Sequence, residues 1–191
     1  MFVDTALVAL RESLEAFLLV GILSGIVVKL GHPNARRPIL LGALVGAGAS
    51  VLFGVLASGL AAQLYEANAG LFEGLASLVA VAILTYMVVW MYKHTRDLMG
   101  SLHAKAKAAL GAGRPVVLFT LAFVAVVREG IETVVFVAGQ FPADGAAATS
   151  LAVLAGVAVS AILAFALFSG VVRLSSTRLV PVACLNSSMA R

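Results

Sequence analysis

Five stretches of this chain, approximately 5–28, 39–62, 71–92, 116–138 and 147–172, are long and apolar. A helix needs about 20 apolar residues to cross the hydrocarbon of a bilayer, so the pattern predicts an all-α, polytopic membrane protein with about five transmembrane helices. The composition agrees. Of 191 residues, 62% are hydrophobic and 12% charged, against about 45–50% and 25% in a soluble domain. The N-terminus does not read as a cleavable signal peptide, because it lacks a basic region and its apolar run contains Arg11, Glu12 and Glu15. Cys184 is the sole cysteine, which excludes a disulfide framework or a cysteine metal cluster within one chain.

The first and fourth spans each carry Arg-Glu-x-x-Glu. One copy is Arg11-Glu12-Ser13-Leu14-Glu15, the other Arg128-Glu129-Gly130-Ile131-Glu132. Six ionised groups at mid-bilayer would destabilise insertion by roughly 15–20 kcal/mol if uncompensated. Such residues persist where they face a protein interior or a water-filled path, and they mark functional sites. The pair therefore points to transport before any other class.

Eleven of the thirteen Lys and Arg residues lie outside the motifs. Lys29, Arg36 and Arg37 fall between spans one and two, and Lys93, Arg96, Lys105, Lys107 and Arg114 between spans three and four. Arg173, Arg178 and Arg191 follow span five, while the opposite side carries only Asp4, Glu66 and Asp144. Positive charge marks the cytoplasmic side. The expected topology thus has the N-terminus outside and the C-terminus inside the cytoplasmic membrane. Basic residues so arranged match a bilayer, not nucleic acid. Trp90 and Tyr92 end span three at the expected cytoplasmic interface. Pro38 and Pro142 sit where span two begins and span four stops. Residues 94–114 read as a short surface helix and a loop.

The two motifs begin 117 residues apart, with an odd number of spans from one to the next, so their helices run in opposite directions. Two three-helix units of inverted topology meeting at a midplane site are a common transporter plan. Span two spaces Gly42, Gly46, Ser50, Gly54 and Ser58 four apart, and span five does so with Ala148, Ala152, Gly156, Ser160 and Ala164. Such stripes let backbones approach closely in lipid; they fit generic packing and a true repeat equally. The expected organisation is a first three-helix unit over 1–93, a cytoplasmic connector over 94–115, a partial second unit of two helices over 116–172, and a short tail over 173–191.

Residues three apart on a helix share a face, so Glu12 projects with Glu15 and Glu129 with Glu132. Four carboxylates from two antiparallel helices are expected to form one cation site. Carboxylate oxygens suit hard cations, ferric iron among the hardest, whereas softer metals favour sulfur or imidazole. His32, His94 and His103 all map outside the spans. Arg11 and Arg128 reach Glu15 and Glu132 at i,i+4 spacing and offset desolvation when no metal is bound. Four Glu and two Arg leave a formal charge of −2, which attracts a cation without trapping it, and protons should compete for the same oxygens. Glu73, near the outer end of span three, reads equally as an additional ligand on the way in and as a side chain reaching the interface.

The paired motifs resemble those of the high-affinity iron permease family of the iron/lead transporter group, the oxidase-dependent iron transporters. Phe72-Glu73-Gly74-Leu75, Leu84-Thr85-Tyr86-Met87 and Trp90-Met91 are similar to that family's third helix. The likeness spans roughly residues 1–172. It implies an iron permease, not an enzyme, with iron as substrate rather than as a permanently bound cofactor. The iron-binding role is implied for Glu12, Glu15, Glu129 and Glu132, supported by Arg11 and Arg128. The implied partner is an extracytoplasmic ferroxidase or a periplasmic iron-delivery protein. The family continues with two further apolar helices, yet this chain runs from Arg173 to Arg191 and stops. The counterpart of Glu73 would fall at position 190, so the second unit is expected to lack its third helix. The sequence then reads as a fragment or frameshifted product that alone inserts poorly or is inactive.

Two other readings remain at this level. One keeps transport but changes the cargo to another hard or borderline divalent cation, such as manganese or lead. The other is a noncatalytic membrane assembly subunit in which the motifs staple helices together. An intramembrane enzyme is disfavoured, because the chain has no His-Glu-x-x-His motif, nucleophile–base pair or cofactor fingerprint.

Overall fold

The computed structural model describes residues 2–138 and 145–177, with side chains at 84, 87–88, 90–99, 138, 146 and 169–177 left aside. Every expected span is a helix: α1 (Phe2–Lys29), α2 (Arg36–Ala67), α3 (Ala69–Gly111), α4 (Pro115–Ala138) and α5 (Ala146–Thr177), with one 3-10 turn over Pro33–Ala35. The described residues contain no strand. Helices satisfy every internal backbone group locally, which is what lipid demands. By length and composition, α2 and α5 are apolar enough to cross a membrane. The 28 residues of α1 and 24 of α4 are also long enough, but the charged motifs interrupt them.

The helix boundaries follow from local chemistry. At the end of α1, Gly31 takes φ +83°, and the amides of Gly31 and His32 donate to the carbonyls of Val28 and Val27, each at 3.0 Å. Gly113 does the same after α3, with φ +62°, while Gly113 and Arg114 donate to Leu110 and Ala109 at 3.1 and 2.9 Å. Each glycine supplies the left-handed residue that closes a helix C-terminus. Pro115 opens α4 and Pro38 lies in the first turn of α2 as expected, positions where a missing amide breaks no helical bond. At the opposite end α2 reverses into α3 at Asn68, whose side chain accepts from the Leu71 amide at 3.1 Å. Tyr65 and Phe72 pack edge to face across this corner, 6.0 Å apart at 87°.

The connector over 94–115 differs from the expected surface helix and loop. It is the unbroken continuation of α3, a 43-residue helix about 65 Å long. The loop is confined to 112–114. Alanines at 104, 106, 108 and 109 supply the highest helix propensity available, and no proline intervenes. Ala106 and Ala109 are buried with Leu23, Val27, Ile39, Leu118 and Ala122 in a cluster at the basic end of the bundle. The described side chains of α3 nearer its start, such as Leu71, Leu75 and Leu78, are exposed, as are many apolar side chains on α2 and α5.

Packing crosses between the two halves of the chain. α2 lies along α4, α5 lies along α1, and α1 meets α4. The small-residue stripes form both of the long contacts. A Cβ at Gly42 would collide with the Phe119 carbonyl, one at Gly46 would press on Phe123 and Val126, and one at Gly54 would meet Val134. On the other side, a Cβ at Gly156 would strike the backbone of Ala6 and Leu10, and one at Gly21 the ring of Phe168. Residue numbers rise together across each contact, so α2 is parallel to α4 and α5 to α1, and the two motif helices run antiparallel. Gly46 and Gly156 hold equivalent places, since Gly46 meets Phe123 and Gly156 meets Ala6, residues separated by the same interval as the two motifs. Close approach of backbones, not apolar burial, brings helices together where the solvent is itself apolar.

The tail over 178–191, Pro142, Asp144 and Cys184 lie outside the described residues, as do the side chains of Trp90, Tyr92, Lys93 and Arg96.

Candidate metal centre

The antiparallel meeting of α1 and α4 places the two motifs together. Glu12 is 1% exposed and Glu129 4%, so each helix inserts its first acid into the interface. Glu15, one turn along α1, is half-buried. Ligand oxygens of Glu12, Glu15 and Glu129 all lie within 4.8 Å of one another. A small cation binds carboxylate oxygen at about 2.0–2.2 Å, so oxygens on opposite sides of one ion stand about 4.2 Å apart. Three carboxylates are thus almost close enough to share a single ion.

The fourth acid is held differently. Arg128 Nε donates to Glu132 Oε1 at 2.9 Å, and Glu132 does not join the three-carboxylate group. On α1 the corresponding bond, Arg11 Nε to Glu15 Oε1, is longer at 3.3 Å. The second contacts of the arginines are longer again, 3.9 Å from Arg11 to Glu12 and 4.0 Å from Arg128 to Glu129. Sequence spacing anticipated both i,i+4 pairs. It did not distinguish the tighter one, which leaves three carboxylates converged instead of four.

The second oxygens of Glu12, Glu129 and Glu132 are buried without a hydrogen-bonding partner. A buried acceptor left unsatisfied is expensive. A cation among these oxygens would satisfy several at once, and the all-oxygen donor set suits a hard ion. Thr133 bonds back to the Glu129 carbonyl at 2.9 Å and leaves the carboxylate free of that hydroxyl.

Glu73 is exposed on α3 and, among the described residues, does not belong to the carboxylate group. The sequence reading also overlooked what Gly130 does. A Cβ there would overlap the Ser50 side chain, so α2 abuts α4 in the middle of the second motif. The available signal was Ser50 itself, a member of the four-spaced stripe. An open groove of about 340 Å³ beside α4 is lined by Phe123, Val124, Val127, Arg128, Ile131 and Glu132.

Comparison with known proteins identifies the family of the chain. The ferrous iron permease EfeU of Escherichia coli O6:H1 (strain CFT073) is 31% identical over 171 residues, covering 88% of this chain and 62% of that protein. The EfeU of Shigella sonnei is likewise 31% identical over 171 residues, with the same coverage of 88% and 62%. The ferrous iron permease EfeU of Yersinia pestis is 29% identical over 170 residues, covering 88% of this chain and 60% of its own. The chain therefore spans about three fifths of the length of the curated relatives it matches. No solved structure matches it. Residues 2–183 match the family model described as iron permease FTR1, and with that match running through all five helices, this all-α membrane protein belongs to the iron permease FTR1 family.

Proposed function

We propose that this chain carries iron across the cytoplasmic membrane through a carboxylate site built from Glu12, Glu15 and Glu129, with Glu132 beside it. The observation that carries the reading is the convergence of three acids from two antiparallel membrane helices, two of them almost fully buried. Family membership and the relatives named for iron support the cargo. Arg11 and Arg128 lower the desolvation cost of the empty site without neutralising it. Substitution of Glu12 or Glu129 by Gln, expected to abolish iron uptake with insertion retained, tests the reading directly.

The assembly-subunit alternative fits less well. Arg11 pairs with Glu12 and Glu15, and Arg128 with Glu129 and Glu132, each within its own helix. Across the α1–α4 contact Glu12 stands beside Glu129, carboxylate against carboxylate, which repels unless a cation or a shared proton lies between, while Arg128 also attracts Glu15.

The donor set by itself favours the harder ferric ion, whereas the curated relatives are named for ferrous iron. Uptake of labelled iron supplied either with a reductant or as a ferric chelate separates the two states. Excess manganese in the same assay is expected to inhibit weakly; equal competition would make the cargo a broader class of divalent cations. An extracytoplasmic protein that oxidises or delivers iron belongs to the same proposal. The chain's single cysteine and three histidines, none of the latter in a span, supply no copper centre of its own.

Distribution of Lys and Arg supports an N-terminus outside and a C-terminus inside. Single cysteines placed within 64–69 are expected to react with an impermeant thiol reagent added outside, and those within 97–112 only after permeabilisation. The opposite labelling pattern would invert the assignment of the face that supplies the metal.

A further inference from the structure

We propose that Ser50 and Gly130 are positioning residues for the metal site: their contact sets the rotation of α4 about its axis and thereby aims Glu129 at Glu12. The proposal rests on the carboxylate reading above and deepens it. Four successive contacts fix how α4 lies on α2: Gly42 on Phe119, Gly46 on Phe123, Ser50 on Gly130, and Gly54 on Val134. Of these, only the Ser50–Gly130 contact falls within a motif. Gly130 directly follows Glu129, and successive residues are about 100° apart around a helix. The row facing α2 therefore determines where Glu129 and Glu132 point.

The lever is long enough to matter. Side-chain tips lie about 5–6 Å from a helix axis, so a turn of roughly 20° moves a carboxylate by about 2 Å. The three-acid group spans no more than 4.8 Å, and a displacement of that size would open it. Ser50 is suited to the contact because its hydroxyl turns back onto the Gly46 carbonyl at 2.9 Å. It presents a small side chain with its polar atom already bonded. The first motif has Ser13 at the position equivalent to Gly130, so the need for glycine comes from the neighbour Ser50 and not from the Arg-Glu-x-x-Glu pattern.

The test exchanges the two residues. Gly130→Ser gives the second motif the residue of the first and overfills the contact; Gly130→Ser with Ser50→Gly returns the lost space. Iron uptake is measured in proteoliposomes across a concentration series. A metal-free measurement accompanies it: with Cys184→Ser, Gly54→Cys and Val134→Cys added, loss of free thiols on oxidation reports the α2–α4 register. Removal of a group that orients a metal ligand typically weakens metal affinity about 10–100-fold. Gly130→Ser is expected to raise the KM for iron by about that factor, with a smaller change in maximal rate, and to lower cross-linking. The double substitution should restore both. Either quantity unmoved by Gly130→Ser, or unrestored by the exchange, overturns the proposal. If Gly130→Ser fails to accumulate in the membrane, the double variant decides: wild-type KM and cross-linking support the proposal, and departure of either overturns it. Failure of the carboxylate reading shows separately, as undiminished uptake by Glu12→Gln with the cross-linking results unchanged.

Discussion

Replacing Glu12 or Glu129 by Gln is expected to reduce iron uptake to background while the protein remains inserted at its normal level. Gln keeps the shape of the side chain and removes one ligand charge from a group of three. Groups that merely orient a ligand are worth roughly 10–100-fold in metal affinity, so loss of a ligand itself should exceed about 100-fold. Insertion should not suffer, because an uncharged side chain is less costly in the bilayer than a carboxylate. The two effects have opposite signs, which separates a transport defect from a folding defect. Uptake by proteoliposomes at matched protein content checks the outcome, together with iron binding to the purified chain. Normal uptake by both variants would falsify the carboxylate site. Glu73→Gln is the internal comparison and should retain most uptake, since Glu73 is exposed and outside the group.

Arg128→Met is expected to lower the amount of folded protein in the membrane, and Glu132→Gln in the same chain to restore it without restoring full uptake. Arg128 makes the tightest ion pair in the site, 2.9 Å to a Glu132 side chain only 13% exposed. Removing one member of such a pair leaves an uncompensated charge and destabilises by about 3–5 kcal/mol when burial is complete. Because Arg128 itself is about one third exposed, with 36% of its side chain accessible, we expect the lower end, roughly 3 kcal/mol. Arg11→Met should have a smaller effect. Its bond to Glu15 is longer, 3.3 Å, and both side chains are more exposed, 46% and 30%. Thermal unfolding of the detergent-solubilised proteins, followed by loss of the monodisperse peak, ranks the variants. Equal stability of Arg128→Met and the parent chain would remove the ion pair from the account. A larger loss in Arg11→Met than in Arg128→Met would show that the asymmetry between the pairs has been read in reverse.

Much of this molecule can be read without coordinates, because membrane helices are specified locally. Apolar length sets where a helix crosses, and each of the five expected apolar stretches falls within one of the helices α1 to α5. Spacing of three puts Glu12 with Glu15 and Glu129 with Glu132, and spacing of four pairs each arginine with the second acid of its own motif. Both relations depend only on helix geometry and hold however the helices are arranged. The extent of α3 was less legible. A polar, basic segment reads as a connector, yet its alanine content and lack of proline let the helix run on to Gly111.

Only tertiary structure decided how the halves interlock and which acids meet. Periodicity names the face of a helix but says nothing of its rotation against a neighbour. In lipid, apolar side chains are as content outside as inside, so burial leaves no sequence pattern to reveal the partner. Small residues marked α2 and α5 as close-packing helices. That each lies along the motif helix of the other half emerges from the contacts of Gly42 with Phe119 and of Gly156 with Ala6. In that arrangement Glu129 stands with Glu12 and Glu15, while Glu132 bonds Arg128 of its own helix. The sequence by itself determined the helices and the acid-and-arginine composition of the candidate site. Which acids of the two motifs stand together depends on how α1 and α4 lie against each other, which involves side chains distant in sequence and therefore could not be read from either motif alone.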